Sequence, residues 1–255
     1  MRTPEWQLQK FIIGIRHQRT FMISDIHGDI VDRVIALSKQ NPFPKDGFTK
    51  ISRPDISAII LTNNDENISV NCNIDGIILT ADMSGYSPHS TDKIQQMFIR
   101  IVNEIVPLTQ AGDKVNRVGV VYEFHIPQFT NSAKAAFSQF MQVSLQGTPD
   151  TVLMRVSLKN PIQESLIRPD KINDYQNVIL TISSEREKEG EEDEVEDAGE
   201  EEKKERIPTI LKITADCQIY YVPQRHIKHI NIDGHLSNAK SFIESTIKKI
   251  PLNIE

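Results

Sequence analysis

The chain has 255 residues, 38% of them hydrophobic and 25% charged, with two cysteines and a formal net charge of -6. That length suits one large domain or two small ones, and no apolar run approaches the roughly 18 residues that a membrane-spanning helix needs. The acidity is local: Glu185 to Arg206 holds thirteen acidic and five basic residues, so the remainder carries +2 and lacks the basic surplus with which proteins grip nucleic acid.

In chain order, Met1 to Lys10 is polar and reads as an arm. It has neither an apolar signal region nor a small-residue cleavage site, so a cytoplasmic protein is expected. Phe11 to Arg16 and Thr20 to Ile23 have the β-branched and aromatic content of strands. From Asp29 the period changes: Ile30, Val31, Val34, Ile35 and Leu37 fall at helical spacing. Asp25 or Asp29 is the expected cap, and Pro42 and Pro44 the stop. Ile56 to Thr62 reads as a strand, Asn63 to Asn67 as a turn, and Ile68 to Ile74 as an alternating strand with one dry face. Asp75-Gly76 is a hairpin signal, followed by Ile77 to Ala81. Ser90 or Thr91 then caps a long helix with the stripe Ile94, Met97, Phe98, Ile101, Val102, Ile105 and Val106, ended by Pro107.

Arg117 to Ile126 opens the second part as a strand. A helix is expected over Ser132 to Gln142, then strands over Val152 to Leu158, Asn177 to Ile182 and Ile207 to Val222. The chain closes on a helix from about Leu236 to Ile250, with Ala239, Phe242, Ile243, Thr246, Ile247 and Ile250 turned inward. Glu185 to Arg206 is too charged to bury and is expected to be a disordered insertion between two strands that otherwise form a hairpin. Long loops add little closure entropy, so the fold tolerates it.

Two halves, 1–112 and 113–255, share the plan strand, helix, further strands, long helix. Hairpin-linked strands with interspersed helices predict an α+β fold: a mainly antiparallel sheet with helices packed on one face, possibly from an internal duplication. No glycine-rich strand-to-helix turn of the phosphate-binding kind is present. Cys72 and Cys217 each lie in an apolar-alternating run and read as buried free thiols.

Three groups of residues bear on chemistry. Asp25-Ile26-His27-Gly28 resembles the first metal-binding motif of the calcineurin-like metallophosphoesterases. The resemblance implies a two-metal site that activates water for phosphoester hydrolysis, with Asp25, His27 and Asp29 as the residues concerned. The later motifs of that family do not follow: after Ile59-Ile60-Leu61 the chain reads Thr62-Asn63-Asn64, and neither Gly-Asn-His nor Gly-His-x-His occurs. A turn with a helix cap accounts for the same residues. His226, His229 and His235, with Asp233 nearby, have spacings at which zinc can be held, but no cysteine or second carboxylate completes a set. Ser84-Gly85-Tyr86 lacks the leading glycine of a nucleophile elbow. Aromatic residues are 6% of the chain, too scattered for an evident base-stacking platform.

The strand Arg117-Val118-Gly119-Val120-Val121-Tyr122 and the closing strand and helix, with Phe242-Ile243-Glu244-Ser245, resemble a sporadically distributed prokaryotic family of uncharacterised proteins. That resemblance implies a free-standing prokaryotic cytoplasmic protein and no particular chemistry. The sequence therefore favours a non-catalytic binding or assembly protein with a protein partner or a homodimer, no cofactor, no membrane and no nucleic acid as main ligand; the alternative is the metal-dependent phosphoesterase.

Overall fold

The computed structural model describes residues 6–84, 90–109, 114–126, 153–161, 173–185 and 210–247. Among the described residues nine strands form one sheet: β1 Gln7–His17, β2 Lys50–Asp55, β3 Ala58–Asn63, β4 Ile68–Asn73, β5 Gly76–Asp82, β6 Val115–Ile126, β7 Leu153–Pro161, β8 Tyr175–Glu185 and β9 Ile210–Arg225. Four α-helices lie among the described residues: α1 Met22–Asp25, α2 His27–Ser38, α3 Thr91–Ile105 and α4 Ile232–Ile247. The sheet order is β2-β3-β4-β5-β1-β6-β9-β8-β7, and every neighbouring pair is antiparallel. This is a large antiparallel sheet with helices, as the α+β expectation has it.

β1 and β6 join the two halves at the middle of the sheet. In each half the last strand pairs with the first, β5 with β1 and β9 with β6. Each half-sheet therefore closes on its own opening strand. β8 and β9 pair from Glu185↔Ile210 onward, so they are the two arms of one hairpin. All of the acidic insertion but Glu185, residues 186–206, lies outside the described residues, as does the helix expected over Ser132 to Gln142.

Alternation decides which face is buried. Phe11, Ile13 and Ile15 of β1 stand opposite Ala81, Leu79 and Ile77 of β5, and opposite Tyr122, Val120 and Val118 of β6; all are buried. Val70 and Cys72, Ile59 and Leu61, and Ala215 and Cys217 extend the same apolar face. On the other face stand Ile12, Gly14, Arg16, Arg117, Asp216 and Gln218, all half-buried or exposed. α3 packs against β1 and β5, and α4 against β6 and β9; α3 also touches α2 and α4. The stripe of α3 is wholly buried from Ile94 to Val106, and Ser90 Oγ caps the helix by accepting from Lys93 N at 3.4 Å. Gln95 donates to Asp233 at 2.8 Å and Lys240 pairs with Asp92 at 2.7 Å, tying α3 to α4.

Several expectations are corrected. Thr20 to Ile23 is not a strand. β1 ends at His17, and Met22 begins α1, with Phe21 66% exposed beside it. The polar arm is shorter than its composition suggests, because Gln7 to Lys10 are drawn into β1 by pairing with β6. Neither Asp25 nor Asp29 caps α2: its N-cap is Ile26, with no side-chain hydrogen bond. α4 starts at Ile232 rather than Leu236, and Phe242 stays 42% exposed rather than turning fully inward.

The hairpin between β4 and β5 turns through Ile74-Asp75, with Asn73 opposite Gly76. Gly76 is thus the first residue of a strand. A Cβ there would press into the backbone of Ile15, so only glycine lets β1 and β5 close at this end.

Candidate functional site

His27 is the first residue of α2 and is buried, whereas Asp25 and Asp29 are exposed. Arg53 Nη2 lies 2.6 Å from His27 Nδ1. A guanidinium only donates, so Nδ1 accepts and the ring proton sits on Nε2. Burial, then the Arg53 charge, hold the imidazole below its ordinary pKa, partly opposed by Asp25.

The three late histidines are not brought together as one set. His226 Nδ1 accepts from Lys228 N at 3.0 Å at the start of a 3-10 turn, and its ring lies 5.7 Å from that of His229. His235 is buried in α4, hydrogen-bonded to the backbone of Val118, and burial pushes its pKa down to about 4. Asp233 accepts from Gln95. Among the described residues no three or more His, Cys, Asp or Glu side chains are grouped so as to hold a metal ion. A manganese-supplemented assay on a generic phosphodiester is expected to show no turnover that depends on these residues. Activity lost in both Asp25→Asn and His27→Ala would establish the hydrolase instead.

Two other surfaces gather side chains that sequence reading left apart. The first lies at the middle of the sheet, on the face opposite the main core. Gly14 stands directly across from Gly119, and Arg16 directly across from Arg117. These four positions, with Ile12, Ile78, Val121, Asp216 and Gln218, line a depression of about 160 Å³. Its polar wall is an ordered chain. Gln218 Nε2 donates to Asp216 Oδ1 and Oδ2 at 2.8 and 2.6 Å, while Gln218 Oε1 accepts from Tyr220 Oη at 2.6 Å and Arg117 Nη1 at 3.1 Å. Beyond it the Tyr175 and Tyr220 rings stack at 4.7 Å, with Lys159 over the first and Arg117 over the second. Burial raises the Asp216 carboxyl above its usual range, opposed by the Gln218 bond and by the charges of Arg117 and Arg155.

The signal for this depression was present in the letters. Gly14-x-Arg16 and Arg117-x-Gly119 are the same triplet in opposite order. Antiparallel pairing lays such triplets glycine on glycine and arginine on arginine. The pairing of β1 with β6 had to be known before the triplets could be matched.

The second surface lies at the β7 edge. Val156 and Leu158 of β7, Val178 and Leu180 of β8, and Phe242 and Ile243 of α4 line an apolar groove of about 110 Å³. Val156, Leu158 and Phe242 are 40%, 48% and 42% exposed. Among the described residues β7 is the last strand of the sheet, and no described strand lies beside its outer row of backbone groups. Both edges carry exposed charged residues and a proline: Arg155, Lys159 and Pro161 on β7, and Lys50, Arg53 and Pro54 on β2.

No family model matches the chain, and no curated protein matches its sequence.

Proposed function

We propose that this chain is a non-catalytic assembly protein that acts through protein contacts, and that its partner is a second copy of itself joined along β7. The observation that carries this is the exposed apolar row of Val156 and Leu158 on β7, an edge strand among the described residues. Open strand edges invite a further strand, and apolar patches of this kind mark protein contacts. Val156 and Leu158 share the face on which the core lies, so pairing β7 with its two-fold mate continues that face across the junction. A two-fold contact of this kind uses the β7 edge of both copies, so growth stops at a closed dimer.

In this reading the helices all pack on the core-bearing face, the halves 1–112 and 113–255 descend from one duplicated unit, and the opposite face is open. Support comes from the contacts of α3 with β1 and β5 and of α4 with β6 and β9, and from the way each half-sheet closes on its own first strand. The reading places the protein in the cytoplasm of a prokaryotic cell, with nucleic acid not its main ligand. Its two cysteines are free and buried, which fits a reducing compartment. Among the described residues no helix is long and apolar enough to cross a membrane.

Light scattering on the full chain tests the assembly. A dimer is expected at tens of micromolar, and Leu158→Lys is expected to weaken it by about tenfold or more, because the substitution places a charge in a desolvated contact. Leu158 is already half exposed, so the variant should melt at the wild-type temperature. A monomeric wild type, or a variant dimer as tight as the wild type, would remove the proposal.

A further inference from the structure

We infer that the depression at the centre of the sheet binds a small planar ligand that bears an oxyanion. The inference goes beyond the assembly proposed above and does not depend on it, since none of the residues below belongs to β7.

The floor is made by two glycines facing each other on the central strands. Neither has a left-handed backbone that would demand glycine, so turn geometry does not explain them. What they supply is room: a Cβ on Gly119 would stand 3.1 Å from Gln218 Cγ, and one on Gly14 would stand 3.4 Å from Ile78 Cγ1. Glycine in the interior of a strand weakens it, and it marks places where another group approaches the backbone closely. Two such residues side by side, at the junction of the two halves, leave a flat strip of peptide planes.

The charge beside this floor has no matching anion bonded to it. Arg16 and Arg117 are direct cross-strand partners, and like charges so placed repel. Arg117 is oriented by neutral acceptors, Gln218 Oε1 at 3.1 Å and Tyr220 Oη at 3.5 Å. Arg16 is exposed and makes no hydrogen bond or salt bridge among the described residues. The nearby carboxylates are hydrogen-bonded by other side chains, Asp75 by Arg19 and Asp216 by Gln218, and act on Arg16 and Arg117 only through their charge. An oxyanion between the two guanidinium groups relieves the repulsion and accepts their forked donors. Ile12, Ile78 and Val121 give the remaining rim an apolar lining, suited to the edge of a ring lying on the glycine strip. The Asp216–Gln218 pair offers a hydrogen-bonding edge on the side opposite Ile78.

The shared chemistry, a ring plus an oxyanion, belongs both to aromatic carboxylates and to nucleoside monophosphates. Calorimetric titration of the full chain with benzoate, with adenosine monophosphate and with inorganic phosphate separates these sources. Saturable binding of one of the two ring-bearing probes is expected, with inorganic phosphate at least about tenfold weaker because it leaves the apolar rim empty. Arg16→Gln is expected to weaken the bound probe by about tenfold through loss of a charge-assisted contact. Gly119→Ala is expected to do the same by filling the floor, while Gly119→Ser at matched thermal stability serves as a second filling variant. Three results would overturn the inference: no binding of either ring-bearing probe, binding unchanged in Arg16→Gln and both floor variants, or phosphate bound as tightly as the ring-bearing probes.

Discussion

Replacing Phe98 by alanine is expected to cost about 3–5 kcal/mol of folding stability, the range for a large aromatic side chain removed from a core that cannot collapse around the gap. Phe98 is wholly buried in the middle of the α3 stripe. α3 packs on β1 and β5 on one side and touches α2 and α4 on the others, so regular elements border the space that the ring leaves. Domains of this kind are stable by only about 5–15 kcal/mol in total, so the variant should unfold at much lower denaturant. Phe21→Ala is the matched control. Its ring is 66% exposed, and its loss should stay within about 0.5 kcal/mol. Urea denaturation of the two variants beside the wild type measures both. A Phe98→Ala loss no larger than that of Phe21→Ala would contradict the packing of α3 as the organising helix.

Acid should weaken the fold well before its carboxylates titrate. Burial holds His235 near a pKa of about 4, against 6.5 for the free side chain. A histidine with a lowered folded-state pKa is kept neutral by the fold. Above pH 6.5 neither state is protonated and the stabilisation is fully present. Between 6.5 and about 4 the unfolded chain takes up the proton while the native chain does not, so stability falls with pH across that window. The shift corresponds to about 3 kcal/mol. His17 and His27 are lowered in the same direction by burial and add to the slope. Urea midpoints should therefore hold nearly level above about pH 6.5 and decline from there to about 4.5, and His235→Gln, which cannot ionise, should flatten the decline. An equal slope in that variant would mean that His235 is protonated in the native state or is not buried.

The parts of the fold that were legible in the sequence are those where a single period dominates. In β4, Ile68, Val70 and Cys72 alternate strictly with Ser69, Asn71 and Asn73, and the strand follows that pattern. In α3 the apolar residues keep helical spacing for the whole helix, with Ser90 placed to cap it. Thr20 to Ile23 failed because a short run of apolar and aromatic residues has no period of its own. Its conformation is set by the end of β1 and by the start of α2 at His27, which packing fixes. Asp75-Gly76 looked like a turn centre because glycine usually is, yet Gly76 is selected by the nearness of Ile15 across the strand pair.

The candidate sites were hidden for a related reason. Asp25, His27 and Asp29 lie close in sequence, but the break between α1 and α2 at Ile26 leaves the carboxylates exposed while His27 is buried against Arg53. Arg53 reaches it from β2, an element whose approach no local pattern announces. Gly14 and Gly119, and Arg16 and Arg117, meet through the register of strands about a hundred residues apart. Tyr175 and Tyr220 likewise meet only through the register of β8 with β9.

Assembly along β7 is tested most directly by hydrogen exchange at the backbone amides of Leu153 to Asn160, followed as the full chain is diluted. Paired edges predict that the outward-facing amides of this strand exchange slowly at tens of micromolar and lose that protection together on dilution, while β4 and β5 in the sheet interior are unaffected. Fast exchange of those β7 amides at every concentration would contradict the account.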